Sequence, residues 1–303
     1  MADIRKNEIL KSYTTFRCGG PASEFAEPST EEEIIGLLSY AKKENREVLI
    51  LGAGSNMLIS DQGFDGLVIR ISRKMADINI LEEDEEGYVT IEAMAGASLA
   101  LFGNTCTRQS LEGAEFCCGI PGNVGGAVFM NAGAYGREIK DIAVSVSYIE
   151  DNELKEIPAS ECGFGYRKSI FEEKASSGKN IVITKMTARL KKGDKEKIEA
   201  YVNELREKRT RSQPLDVPSA GSTFKRPEGY YAGALIEGSG LKGFKLDDSG
   251  AQVSPKHAGF VVNNGGTASA SDVMRLIRYI QDKVYKDSNV RLQTEVRIVG
   301  KWE

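Results

Sequence analysis

Residues 119–136 contain six glycines and almost no charge, so their backbone is unusually bare. Glycine in an ordered segment costs roughly 0.5–1 kcal/mol relative to alanine, which indicates positive φ angles or a ligand lying against the chain. Peptide N–H groups exposed at this density suit a phosphate or an electron-rich ring. Ile120, Val124 and Phe129 favour burial, which argues against a flexible linker. We therefore predict a ligand-binding segment here rather than a core helix or strand.

A second glycine-rich turn occupies residues 52–57 and follows an apolar run at 48–51 that predicts a buried strand. A dinucleotide-binding Rossmann turn would have a third glycine at Met57, a helix opening there and an acidic residue about 20 positions later. The sequence continues instead with strand and turn patterns, so we exclude a Rossmann turn. Small residues at 52–56 can still offer N–H groups to a pyrophosphate. A tight turn without a ligand is the alternative interpretation.

The composition is that of a globular protein with two or three domains: 303 residues, 41% hydrophobic and 28% charged. Its 40 basic and 44 acidic residues give a net charge of −4 without a cluster that would favour nucleic acid or a membrane surface. Residues 1–8 contain no apolar leader, and no run approaches the roughly 20 apolar residues of a membrane span. We expect a cytoplasmic protein that binds neither nucleic acid nor membranes.

The cysteines and the single histidine do not predict a metal site. Five cysteines are an odd number without metal-ligand spacing, and His257 has no histidine partner. We expect free, mostly buried thiols.

Hydrophobic periodicity and turn residues predict the elements that position these segments. Thr30 and Glu33 have capping-box spacing before a helix, and Ser271 can cap a later one. One predicted helix follows Thr30 and ends at about 43, two more cover 98–110 and 195–211, and a fourth follows Ser271 and includes 273–284. Predicted strands cover 22–26, 48–51, 67–71, 88–93, 142–149, 181–190 and 291–300.

Six motifs in order resemble the UDP-N-acetylenolpyruvoylglucosamine reductases, flavoenzymes of bacterial peptidoglycan synthesis. They lie at 15–22, 51–56, 119–136, 166–169, 220–225 and 292–296. The resemblance therefore extends over nearly the whole chain. The family has two types, and residues 191–194 lead directly into the charged helix without the tyrosine-bearing insertion of the longer one. The chain is thus similar to the shorter, second type.

The resemblance implies an α+β fold with FAD bound noncovalently. The FAD-binding part would be a two-part domain like that of vanillyl-alcohol oxidase and p-cresol methylhydroxylase (the PCMH fold), joined to a smaller α+β substrate-binding domain. We expect one FAD-binding subdomain at 1–72 with a terminal strand at 298–303, a second at 73–208, and the substrate domain at 209–297. We also expect a monomer that uses NADPH as co-substrate and a nucleotide sugar as substrate.

Three catalytic roles follow from the same resemblance. Arg167 would bind and polarise the substrate carboxylate, a task suited to a charged bidentate fork. Ser222 would donate a proton, with Lys225 or a water relay assisting its weakly acidic hydroxyl. Glu295 would lie near the enol, although a structural ion pair with one of the neighbouring arginines, at 291 or 297, explains it equally well.

The resemblance also assigns binding residues to both glycine-rich segments. The predicted FAD contacts are Gly52, Ala53, Gly54, Ser55, Asn56, Met57, Gly119, Ile120, Pro121, Gly122, Asn123, Gly125, Gly126, Asn131, Gly133, Ala134 and Tyr135. The predicted substrate contacts are Tyr166, Lys225, Arg226 and Gln252, with the two cations on the UDP diphosphate.

Two other functions compete with this one. Related oxidases attach FAD covalently, often through histidine; His257 is far in sequence from both glycine-rich segments, whereas Cys117 and Cys118 stay open as attachment points. A nucleotide-sugar binding protein without catalysis is the other alternative, and the presence of Arg167, Ser222 and Glu295 argues against it.

Overall fold

The structure is a computed structural model that describes residues 2–302. The helices are α1 Glu31–Lys43, α2 Leu99–Arg108, α3 Val124–Phe129, α4 Ile170–Ser176, α5 Lys195–Ser212, α6 Ala232–Gly238 and α7 Ala270–Ser288. The strands are β1 Ile4–Ile9, β2 Pro21–Ala26, β3 Val48–Leu51, β4 Met57–Ile59, β5 Phe64–Arg70, β6 Ile78–Glu83, β7 Tyr88–Met94, β8 Leu111–Glu112, β9 Gly133–Ala134, β10 Arg137–Glu138, β11 Ala143–Glu150, β12 Glu153–Pro158, β13 Ile181–Lys192, β14 Ala251–Val253, β15 Val261–Asn263 and β16 Arg297–Val299.

The chain divides into two units. The first contains residues 2–4, 25–53 and 67–209, and the second contains 5–24, 54–66 and 210–302. The predicted turn at 52–57 is shared, with Gly52 and Ala53 in the first unit and the rest in the second.

A six-stranded antiparallel sheet forms the centre of the first unit. Its strands follow the order β12-β11-β13-β7-β6, and β8 also pairs with β13. Separately, β3 and β5 pair in parallel, with Val48 opposite Leu67. The core of this unit contains residues from α1, α2, α3 and the sheet, including Ile34, Leu37, Phe102, Val124, Val128, Ile91, Val146 and Met186.

Helix α1 begins as the sequence predicts, with one change in the cap. The Thr30 hydroxyl accepts a hydrogen bond from the Glu33 N–H at 3.2 Å. The Glu33 carboxylate accepts from the backbone N–H of Ser29 at 2.8 Å. The second arm of the cap therefore reaches one residue further back than a standard capping box.

The second unit is built around α7. Its core contains Phe16, Leu58, Phe224, Ile236, Leu241, Val253, Val273, Ile277 and Ile280. Strand β4 pairs in parallel with β16, and β14 pairs antiparallel with β15.

The cap predicted for α7 was wrong by two residues. Ser269, not Ser271, is the N-cap, and it forms a reciprocal capping box with Asp272. Ser271 instead donates through its hydroxyl to Asp61 at 2.6 Å, and the same carboxylate accepts the Ala270 and Ser271 N–H groups. The distant Asp61 satisfies these donors, so the local sequence does not reveal them.

The strand predicted at 291–300 was also too long. Only Arg297–Val299 form β16, and Glu295 lies in the irregular segment before it. Phe224 and Thr294 form an isolated antiparallel bridge, so residues 292–296 pair with the chain near 223–225 rather than with a full strand.

Candidate functional site

The predicted ligand segment 119–136 contains a short helix with buried residues, contrary to the expectation that it holds no core helix or strand. Helix α3 occupies its centre, and one of its glycines is needed for packing. A Cβ at Gly125 would lie 2.8 Å from the Ala95 Cβ, and the Gly125 N–H donates to the Ala95 carbonyl at 2.9 Å. The absence of a side chain at Gly125 therefore allows α3 to pack closely against Ala95, the residue that follows β7.

Other glycines leave open space that suits FAD. A Cβ at Gly126 would meet no atom within 4 Å, and at Gly52 the nearest atoms would belong to the Asn123 side chain, at 3.7 Å and beyond. Asn123 is itself held by donation from its amide to the Ile71 carbonyl at 3.0 Å. The first unit thus brings Gly52 and Asn123, one from each predicted loop, next to each other beside bare backbone. These residues fit the pyrophosphate and ring of FAD.

Gly54 is required by its backbone conformation and by its neighbours in the second unit. Its φ is +62°, and a Cβ there would overlap the Tyr13 carbonyl oxygen. The Gly54 carbonyl accepts the Thr15 N–H at 3.2 Å. Only glycine suits this position, whether or not a ligand is present.

Arg167 lies in a tight hairpin turn of the first unit. Gly165 and Lys168 exchange backbone hydrogen bonds of 3.0 and 3.1 Å around Tyr166 and Arg167. Arg167 has a φ of +53°, a left-handed conformation that a non-glycine residue seldom adopts. Its guanidinium donates to the Gly133 carbonyl at 3.1 Å. The arginine is therefore placed against the glycine-rich segment.

Asn131 holds this turn in place. Its side chain is fully buried, and its amide donates to the Gly165 carbonyl at 2.9 Å and to Glu138 at 3.0 Å. Its amide oxygen accepts the Lys140 N–H at 3.0 Å. Asn131 was predicted as an FAD contact; these bonds make it a residue that positions the Arg167 turn, and the FAD contact stays a prediction.

Ser222 and Glu295 come close together in the second unit. The Thr223 carbonyl, next to Ser222, accepts the Glu295 N–H at 2.9 Å. The Lys225 N–H donates to the Gln293 carbonyl at 2.8 Å. Ser222 is exposed, while Thr223 and Phe224 on the same segment are buried and anchor it. The serine hydroxyl is thus presented on a fixed backbone.

The other predicted substrate contacts already have intramolecular partners. Arg226 stacks on the Tyr231 ring at 4.0 Å and donates to the Tyr230 carbonyl at 3.3 Å. Gln252 donates to the Gly243 carbonyl at 3.0 Å and accepts from Asn264 at 3.1 Å. Their substrate contacts stay predictions.

His257 is half-buried, and Cys117 and Cys118 are buried. The His257 Nδ1 accepts the Gly259 N–H at 3.0 Å, and burial lowers the pKa of its ring. Burial raises the pKa of both Cys117 and Cys118, which keeps these thiols protonated. Within residues 2–302, no group of acidic, histidine and cysteine side chains can hold a metal ion. None of the helices in this range combines the length and the apolar character that a membrane span needs.

Comparison with known proteins identifies the family. The model of the UDP-N-acetylenolpyruvoylglucosamine reductase C-terminal domain matches residues 213–299, and an FAD-binding domain model matches 22–153. The reductase of Agathobacter rectalis is 44% identical over 99% of this chain and 95% of its own length. This chain belongs to the UDP-N-acetylenolpyruvoylglucosamine reductase family. The reductase of Caldanaerobacter subterraneus subsp. tengcongensis is 43% identical over 97% of this chain and 93% of its own.

A crystal structure from the same reductase family has a similar fold. The Thermus caldophilus enzyme, MurB, superposes with a TM-score of 0.78 at 34% identity, and the match covers 98% of each chain. Together with the FAD-binding match, it confirms the predicted FAD-binding fold and an FAD-dependent oxidoreductase.

One residue that the sequence did not indicate lies beside the glycine-rich segment. Arg209, near the end of α5, approaches Gly119 closely. In the sequence it is one of several cations at a helix end, where a positive charge is expected for other reasons. No local pattern separates it from its neighbours.

Proposed function

We propose that this chain reduces UDP-N-acetylenolpyruvoylglucosamine to UDP-N-acetylmuramate with electrons from NADPH, through noncovalent FAD. When bound, FAD supplies the hydride, received from NADPH, that reduces the enolpyruvyl methylene carbon. The observation that carries the proposal is the backbone pairing of Thr223 with Glu295, which places Ser222 and Glu295 on adjacent segments.

The residues of this chain have separate tasks in the reaction. Arg167 binds the substrate carboxylate through its planar fork and stabilises negative charge that develops beside it. Ser222 donates the proton to the carbon next to the carboxylate. Glu295 lies beside the enol, where its hydrogen bonds orient the reacting group. Lys225 and Arg226 bind the UDP diphosphate.

The domain division is part of the proposal. The FAD-binding subdomains cover 1–72 with 298–303 and 73–208, and the substrate domain covers 209–297. The start of the C-terminal family match at residue 213 supports the last boundary. We further propose that the enzyme is cytoplasmic and monomeric. Sedimentation of the purified protein tests the oligomeric state, and fractionation of cells tests the location.

Turnover with mass analysis tests the reaction. Without oxygen, we expect NADPH consumption beyond the one equivalent that reduces the bound flavin only when the enolpyruvyl nucleotide is present, with a product heavier by two hydrogen atoms. NADPH consumption that ignores the nucleotide, or an unchanged nucleotide, would refute the proposal. Acid precipitation tests the cofactor linkage, because noncovalent FAD leaves a colourless pellet.

A further inference from the structure

Arg209 lies against the beginning of the glycine-rich segment, within the first unit. A Cβ at Gly119 would be 3.3 Å from the Arg209 Cδ and 3.4 Å from its Nη1. A Cβ at position 119 would therefore require the Arg209 side chain to shift by a few tenths of an ångström. The bare backbone of Gly119 thus lets the Arg209 side chain lie directly against this segment.

The guanidinium of Arg209 is partly buried and unpaired. Among residues 2–302, no carboxylate lies within ion-pair distance of this half-buried side chain and no acceptor takes its hydrogen bonds. The neighbouring cations of α5 differ, since Lys208 pairs with Glu204 and Arg206 donates to the Asn104 side chain at 2.6 Å.

Burial also affects the titration of this side chain. It lowers the pKa of Arg209, and the Tyr135 hydroxyl is the one group that opposes the shift. Partial burial of a cation without a partner is unfavourable, and an anion that binds beside it reduces this cost.

The surroundings indicate which anion completes the pair. Gly119 and Tyr135 lie near the two ends of the segment that is proposed to hold FAD. Gly119 lies against Arg209, and the Tyr135 hydroxyl donates to the Leu205 carbonyl, one turn earlier on α5, at 3.3 Å. FAD carries negative charge permanently on its pyrophosphate. It also becomes anionic at the N1 and C2 carbonyl region when it accepts a hydride from NADPH, because a hydride brings two electrons and one proton.

We infer that Arg209 is a cofactor-binding residue whose guanidinium pairs with an anionic oxygen of FAD. The inference rests on the proposed FAD-dependent function and adds to it a residue on α5. Two locations on the cofactor share this chemistry, the pyrophosphate and the reduced ring, and binding and redox measurements distinguish them.

The test compares Arg209→Met with Arg206→Met, an exposed arginine one turn earlier on the same helix. Apoprotein is titrated with FAD and with ADP, and the midpoint potential of the reconstituted flavin is measured. If the pyrophosphate is the partner, Arg209→Met weakens FAD and ADP binding alike, by roughly 10- to 100-fold, at an unchanged potential. If the reduced ring is the partner, the potential becomes more negative and ADP binding is unaffected.

Two controls keep the inference open to refutation. Arg209→Lys retains the charge but not the fork, so it should fall between the wild type and Arg209→Met, and it gives the result if the Met variant does not fold. Equal FAD affinity and equal potential in the Arg209 and Arg206 variants would overturn the inference, as would a change in the NADPH KM alone. A wild-type protein that NADPH does not bleach would refute the proposed function instead.

Discussion

The side-chain amide of Asn56 donates a hydrogen bond to the backbone carbonyl of Glu295 at 3.1 Å, across 239 positions of sequence. The Arg297 N–H returns a bond to the Asn56 carbonyl at 3.0 Å, next to the parallel pairing of β4 with β16. In the second unit, the end of the 52–57 turn and the proposed catalytic glutamate are therefore one local structure. A change at Asn56 should be felt at Glu295.

Asn56→Ala tests this link. Loss of a partly buried hydrogen bond should lower the free energy of unfolding by about 1 kcal/mol and reduce kcat, because the Glu295 backbone loses its support. Urea denaturation and turnover measure the two effects. Ser145→Ala, which removes an exposed bond to the Glu156 side chain on the β11–β12 hairpin, is the control. Equal effects of the two substitutions would contradict the link.

Ser222→Ala separates the two halves of the reaction. NADPH should still bleach the flavin at the normal rate, whereas reoxidation by the enolpyruvyl nucleotide should slow by about 10²–10⁴-fold, the usual contribution of a general acid. Stopped-flow absorbance resolves both steps. Ser219→Ala, three positions earlier, should leave both rates unchanged. Normal reoxidation in the Ser222 variant would remove this residue from the mechanism.

Two glycine-to-alanine changes should have opposite effects on stability. Gly54→Ala forces a side chain into a φ of +62° and against the Tyr13 carbonyl, so it should destabilise the protein by more than about 1 kcal/mol. Gly36→Ala lies inside α1 with no atom within 4 Å of the new Cβ, so it should stabilise by about 0.5–1 kcal/mol. Thermal denaturation measures both, and a stabilised Gly54 variant would contradict the geometry.

Glu150 should make stability depend on pH. Hydrogen bonds from Lys179 and then Lys174 lower the pKa of this carboxyl from 4.5 to about 2. Because the pKa is depressed by folding, the stabilisation is complete above the unfolded value of 4.5 and is lost as the pH falls toward 2.

Glu150→Gln checks this dependence. The substitution should cost about 1–2 kcal/mol at pH 7, allowing for the solvent exposure of the lysines, and progressively less below pH 4.5. Glu153→Gln, at the exposed end of the same hairpin, is the control, since its nearest lysine contact is 3.9 Å. Urea denaturation across this pH range measures both, and a penalty that is independent of pH would show that the carboxylate is not stabilised in this way.

The sequence predicted the features that depend on local pattern. Helix α1 follows its apolar periodicity and its Thr30 cap, and the motifs identified the family and its cofactor. The positive φ at Gly54 agrees with a glycine that the turn requires. These features are encoded within a few residues of where they occur.

Features that depend on distant partners could not be predicted. Asp61 satisfies the start of α7, so Ser269 rather than Ser271 is the cap, and nothing near residue 271 reveals it. In sequence, Gly125 looks like the other glycines predicted to contact the cofactor, yet its lack of a side chain is required by close packing against Ala95. Arg209 acquires its environment only when α5 packs beside Gly119.

The most direct test of the proposed function is the visible spectrum of the flavin in two steps without oxygen. NADPH is added first to the purified holoprotein, and UDP-N-acetylenolpyruvoylglucosamine is added once the colour has gone. We predict bleaching of the flavin followed by recovery of the yellow colour in proportion to the nucleotide added. A flavin that NADPH does not bleach, or that stays reduced after the nucleotide is added, would contradict the assignment.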